Sequence, residues 1–127
     1  MDLLDTRLHA LIGDEGFERL VAAFYRRVPH DDTLSLLYPP HDLTAAHVRL
    51  RDFLIMRFGG PDRYFKTRGH PRLRMRHARF HIDRNARDRW VLLMEQALVE
   101  INVGEEATDI LRRFFDDAAT FLINRPG

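Results

Sequence analysis

No cysteine occurs in the 127 residues, which excludes disulfides, thiolate metal sites and cysteine nucleophiles and is compatible with a reducing cytosol. An excess of either charge is also missing. The 20 Lys plus Arg and 19 Asp plus Glu leave a formal net charge of +1, so no global field draws the chain to nucleic acid or anionic lipid. Long apolar runs are absent as well. The tightest apolar cluster, Trp90 to Met94, is far too short to cross a bilayer, and Asp2, Asp5 and Arg7 stand where a signal peptide would need apolar residues. Together these absences predict a soluble, cytoplasmic protein with neither a membrane nor a nucleic acid as partner. Strand alternation, internal repeats and low-complexity tracts are likewise missing, which removes sheet and solenoid architectures.

What remains is 45% hydrophobic and 31% charged, the composition of a globular chain. At this length one core and a single domain over residues 1–127 are expected. Apolar residues recur at helical spacing in four places. From Gly16 to about Val28 the stripe is Phe17, Leu20, Val21, Phe24 and Val28, stopped by Pro29. From Leu43, behind Asp42, it is Leu43, Ala46, Leu50, Phe53, Leu54 and Arg57, ended by Gly59-Gly60-Pro61. After Asp83 it is Trp90, Leu93, Met94, Ala97, Leu98 and Ile101, closed by Gly104. From Glu105 to about Asn124 it is Ile110, Phe114, Ala118, Phe121 and Leu122. A weaker helix is expected over residues 3 to 11, and the fold class is all-α. The stretch from Gly59 to His81 packs Gly, Pro, Arg and His with little apolar period and reads as a loop. So long a connection inside a small domain is usually functional.

Without cysteine, the histidines at 9, 30, 41, 47, 70, 77 and 81 are the strong nitrogen ligands available to a transition metal. His9, His30, His41 and His47 sit among charged residues and read as solvated surface. His77 and His81 have the i, i+4 spacing of a metal chelate, but Ala78, Arg79 and Phe80 replace the acidic partner a zinc-protease helix requires.

Gly59-Gly60-Pro61, Tyr64, the run Gly69-His70-Pro71-Arg72-Leu73-Arg74-Met75-Arg76-His77-Ala78, then Phe80, Ile82 and Arg87-Asp88-Arg89-Trp90 resemble the group II truncated haemoglobins over nearly the whole chain. The resemblance implies a two-on-two helical sandwich around haem b, with His77 as the axial ligand of its iron. A neutral imidazole binds iron through one nitrogen and leaves the other N–H to bond a group that fixes the ring. By the same resemblance Tyr25 and Tyr38 match the family's distal tyrosine and its aromatic residue before the distal helix, and Trp90 its distal tryptophan. Ala46 falls where many globins place a distal histidine, with Leu50 one turn on. Hydrogen bonds to a bound diatomic ligand must therefore come from Tyr25, Tyr38 or Trp90; His47 points about 100° away around the helix. Arg49 matches the family's basic partner of the haem propionates, with Tyr64, Arg72 and Arg76 as weaker candidates and Phe80 beside the ring.

Two positions depart from the family. Its paired glycines between the first two helices are reduced to Gly13 and Gly16, and the proline common after the proximal His-Ala is Arg79. Dioxygen is the implied ligand. Nitric oxide or peroxide turnover with an external reductase, a homodimer, and a sensor role are all compatible with the resemblance. A different reading stays open on the residues alone: Arg68, Arg72, Arg74, Arg76 and Arg79 could form a phosphate-contacting strip of a nucleic-acid module.

Overall fold

The computed structural model describes the backbone of residues 3–126 and the side chains from Arg7 onward; Met1, Asp2 and Gly127 lie outside the described residues. Its helices are α1 (Leu3–Arg27), α2 (Leu34–Leu37), α3 (Leu43–Arg57), α4 (Arg63–Arg68), α5 (Leu73–His77), α6 (Arg84–Ile101) and α7 (Glu105–Phe121), with short 3-10 turns at Val28–His30 and Pro40–Asp42. Among the described residues there is no strand, and no helix is long and apolar enough to cross a membrane.

The pairs α1 with α3 and α6 with α7 lie across one another, α1 resting against α6. This is the two-on-two arrangement. Its contiguous core takes Phe17, Leu20, Val21, Phe24 and Val28 from α1 and the adjoining turn, and Leu93, Met94, Ala97, Leu98 and Ile101 from α6. Those stripes are the ones the periodicity marks. On α7 the face differs: Ala107, Ile110, Leu111, Phe115 and Ala119 are buried, while Phe121 is 55% exposed. The stripe is rotated by about one residue, or 100°, because Phe114, Ala118 and Leu122 line a cavity beside the core rather than the core itself.

The expected short N-terminal helix and the Gly16 helix form one continuous element broken at Gly13, where φ is 69° and ψ 175°. That left-handed φ is cheap for glycine and strained for any other residue, so a single glycine makes the hinge. The Gly59 to His81 segment is not a plain loop, since it contains α4 and α5. Six- and five-residue helices are too short to display a 3.6-residue period. His9 and His47 also depart from expectation. Their side chains are each 22% exposed and pair with Asp14 and Glu18.

Among the described residues Asp31 is the buried charged one, 5% exposed. Its carboxylate accepts from the backbone N–H groups of Leu34 (2.9 Å) and Thr33 (3.1 Å) and from Arg89 Nε (2.8 Å). It thereby caps α2 and ties it to α6. Burial works against the charge, but these donors outweigh it and hold the carboxyl below its ordinary value. A carboxyl with a depressed native pKa contributes stability above its unfolded value, near 4, and loses it as pH falls through the lower native one. Asp31→Ala is therefore expected to cost roughly 2 kcal/mol at pH 7, and the difference from the parent should shrink in acid denaturation curves below about pH 4. A pH-independent difference would remove the ionised carboxylate from this role.

Candidate haem pocket

Between α3 and α5 lies a cavity. Its body is apolar, formed by Leu50, Phe53 and Leu54 from α3 and Phe114, Phe115 and Leu122 from the α7 side. Polar groups converge on it from two opposite directions.

On one side is His77, the last residue of α5. Its Nδ1 lies 2.7 Å from the carbonyl oxygen of Leu73, one turn back. A carbonyl only accepts, so Nδ1 carries the proton of the neutral ring and Nε2 is left with the basic lone pair. Phe80 packs beside the imidazole, ring centroids 6.2 Å apart. His81 does not join it: α5 has already ended, and His81 pairs in solvent with Asp83 at 3.3 Å. Among the described residues no group of three His, Cys, Asp or Glu side chains is placed to hold a metal ion.

On the other side stand Tyr25, Tyr38 and Trp90. The tyrosine rings meet edge to face at 5.5 Å, and Trp90 is wedged between Phe24 and Phe115 at 5.1 and 5.5 Å. Burial pushes the Tyr25 phenol well above its ordinary pKa, and the neighbouring Tyr38 phenol adds to the shift. Tyr38 is also raised by burial, against the opposing effect of its hydrogen bonds with Trp90 and Tyr25. Ala46, 3% exposed, and Leu50 present only carbon on this side. His47 stacks behind Tyr25 at 6.1 Å with Nε2 2.9 Å from both Glu18 oxygens.

The remaining candidates separate. Arg49 lines the cavity beside Asp42, 3.3 Å away, and Tyr64 is buried against Phe53 with rings 5.6 Å apart. Arg76 is turned onto the carbonyls of Pro71 (2.8 Å) and Arg68 (2.6 Å), stitching the segment before α5. Arg72 lines a neighbouring cavity instead.

Haem is a broad, mostly apolar plate with two carboxylates and an iron that takes an axial base. The residues present fit it: an imidazole fixed as one tautomer, aromatic and aliphatic walls, and a guanidinium with a phenol beside them.

Asn124 is a site residue that periodicity does not reveal, because it follows α7 rather than closing it. Its Nδ2 donates to the His77 carbonyl (3.1 Å), its Oδ1 accepts from Ile82 N–H (3.0 Å), and its own N–H bonds Ile82 O (2.9 Å). The chain after α7 therefore clamps both ends of the turn that follows the imidazole. Asn124→Leu keeps the bulk and removes the two side-chain contacts; haem loss is expected to accelerate about tenfold, the low end for residues that orient a ligand. Transfer to an apo-globin acceptor measures it, and an unchanged rate would reduce Asn124 to a surface contact.

The family model described as bacterial-like globin matches residues 7–124. Among solved structures, a haemoglobin of Chloroflexus aurantiacus is 43% identical, with a TM-score of 0.88 over 93% of this chain and 98% of that one. One from Thermobifida fusca is 38% identical, with a TM-score of 0.90 over 94% and 98%. A group 2 truncated haemoglobin of Bacillus subtilis is 32% identical over 90% of this chain and 86% of its own length. With the match extending over nearly its full length, the chain belongs to the bacterial-like globin family, in the group II truncated haemoglobin branch.

Proposed function

We propose that His77 is the axial ligand of haem b in a dioxygen-binding protein, with Tyr38 donating to the diatomic ligand and Arg49 and Tyr64 holding the propionates. Binding of dioxygen by haem is the activity of the family. The observation that carries the residue assignment is the 2.7 Å contact of His77 Nδ1 with Leu73 O. It commits one nitrogen to the backbone and leaves the other without that bond, on a residue that lines the same cavity as Tyr38. When bound, haem would supply an iron able to take His77 as a ligand and to bind dioxygen reversibly.

The chain's own residues supply the remainder. The Leu73 carbonyl fixes the tautomer and the ring plane. Apolar walls exclude water from the ligand face. The neutral Tyr38 phenol donates to a ligand that gains negative charge, and Ala46 leaves room to reach it. We extend the reading to oxidation of nitric oxide to nitrate, supported by a distal side rich in donors and free of a blocking histidine, with re-reduction by an external reductase.

The phosphate-strip reading is not favoured, because the arginines do not form a strip. Arg68 lies over Tyr64, Arg79 over Phe80, and Arg76 faces inward onto carbonyls. Purified protein should show an intense Soret band, and rapid mixing of its oxygenated form with nitric oxide should yield stoichiometric nitrate. A colourless protein that takes up no added haem would defeat the binding assignment. Normal dioxygen binding with slow, incomplete nitrate formation would defeat the nitric oxide extension alone.

A further inference from the structure

His47 and Glu18 line no part of the haem pocket, yet they meet its distal side from behind. Glu18 and Tyr25 are seven residues apart on α1, close to two full turns, and so share one face. His47, from α3, spans them. Its Nε2 lies 2.9 Å from both Glu18 oxygens, and its ring stacks on that of Tyr25, with centroids 6.1 Å apart and planes inclined by 27°. A carboxylate only accepts, so Nε2 carries a proton.

Three details set this pair apart from an ordinary surface contact, which by itself contributes little. Glu18 is gripped from a second point on α3, because Arg51, one turn beyond His47, reaches it at 3.5 Å. Partial burial works against the Glu18 charge, but His47 and Arg51 outweigh it and hold the carboxyl below its ordinary value. The acceptor that orients the imidazole is therefore ionised at neutral pH. The His47 side chain is also the better sheltered of the two, 22% exposed against 46% for Glu18. Finally, Phe24 and Tyr38 meet the Tyr25 ring nearly at right angles, at 78° and 79°. Among the described residues His47 is its stacked neighbour.

From this placement we infer that His47 is a positioning residue of the distal pocket: anchored by Glu18, its imidazole holds the Tyr25 ring in the orientation from which the phenol is hydrogen-bonded to Tyr38. The inference rests on the proposed role of Tyr38 toward the ligand. Glu18 orients His47, His47 orients Tyr25, and Tyr25 steadies Tyr38, so a half-exposed carboxylate acts on a ligand it never touches. Without the imidazole the Tyr25 ring gains freedom and its bond to Tyr38 is made for less of the time. The distal donor is loosened rather than lost, and water gains a way in beside it.

The test uses haem-loaded protein and two readouts: the dioxygen dissociation rate, and the C–O stretching frequency of the carbon monoxide complex, which reports the polarity around the ligand. His47→Ala is expected to raise the rate about two- to fivefold, no further than Tyr25→Phe does, and to shift the stretch. Glu18→Ala should move both readouts in the same direction. In the Tyr25→Phe background His47→Ala should add less than about twofold. Rate and stretch both unchanged in His47→Ala would overturn the proposal and leave a surface ion pair. An undiminished effect in the Tyr25→Phe background would overturn it as well, since His47 would then act elsewhere than on Tyr25. An effect of His47→Ala that Glu18→Ala does not share would overturn the anchoring. If His47→Ala retains no haem, Glu18→Ala decides alone, and parent-like readouts there overturn the proposal. A parent without a Soret band fails the haem assignment, and parent-like rates in both Tyr25→Phe and Tyr38→Phe fail the distal one, so those failures are distinguishable from that of His47.

Discussion

Replacing His77 by glycine is expected to give a folded protein that loses haem more than about a hundredfold faster than the parent, since even groups that only orient a metal ligand are worth about 10- to 100-fold. The side chain is partly buried at the end of a five-residue helix and contributes nothing to the main core cluster. Its removal should therefore leave the helical content intact. Free imidazole at millimolar concentration should occupy the gap and restore axial ligation, visible as recovery of the parent ferrous deoxy spectrum. That rescue separates loss of a ligand from loss of a fold. Unaltered pigment and axial ligation in the variant would place the iron on another residue and remove the central assignment.

The proximal side also shows how much the sequence could disclose. Core stripes on α1 and α6 were readable because each runs for about four turns or more, enough for a 3.6-residue period to separate from noise, and every apolar residue named on α1 and its adjoining turn is buried. The α7 stripe mixed two destinations, core and cavity, and periodicity cannot tell one apolar environment from another. Helices α4 and α5 stayed hidden because they are shorter than two turns. His77 was legible through the long motif around it, whereas the contact that fixes its tautomer is a backbone carbonyl and leaves no trace in residue identity. Asn124 was illegible for a related reason. It reaches His77 across 47 positions, and no local pattern encodes a contact of that separation. Conversely, the arginine-rich run looked like one feature in sequence. In space it divides into a stitch (Arg76), two aromatic caps (Arg68, Arg79) and a rim on another cavity (Arg72, Arg74).

The distal trio yields the second large effect, because its three members are not equivalent. Tyr38 is hydrogen-bonded to both Tyr25 and Trp90. On the proposed reading Tyr38 is the member that donates its O–H to the ligand. Tyr38→Phe should raise the dioxygen dissociation rate about 10- to 100-fold, the equivalent of one hydrogen bond to a charge-bearing acceptor at about 1.5–3 kcal/mol. Tyr25→Phe removes a bond to Tyr38 but no bond to the ligand, and should raise the rate only a few-fold. Because burial holds the Tyr38 pKa above its ordinary value near 10, the phenol keeps its proton across neutral pH. The parent rate should accordingly stay flat from about pH 6 to 9 on this account. Stopped-flow displacement of dioxygen by carbon monoxide gives all three rates. A larger effect at Tyr25 than at Tyr38 would reverse the direction of donation within the pair and make Tyr25 the ligand's partner. A double variant no slower to release dioxygen than Tyr38→Phe alone, and no faster, would show that Tyr25 acts through Tyr38 and nowhere else.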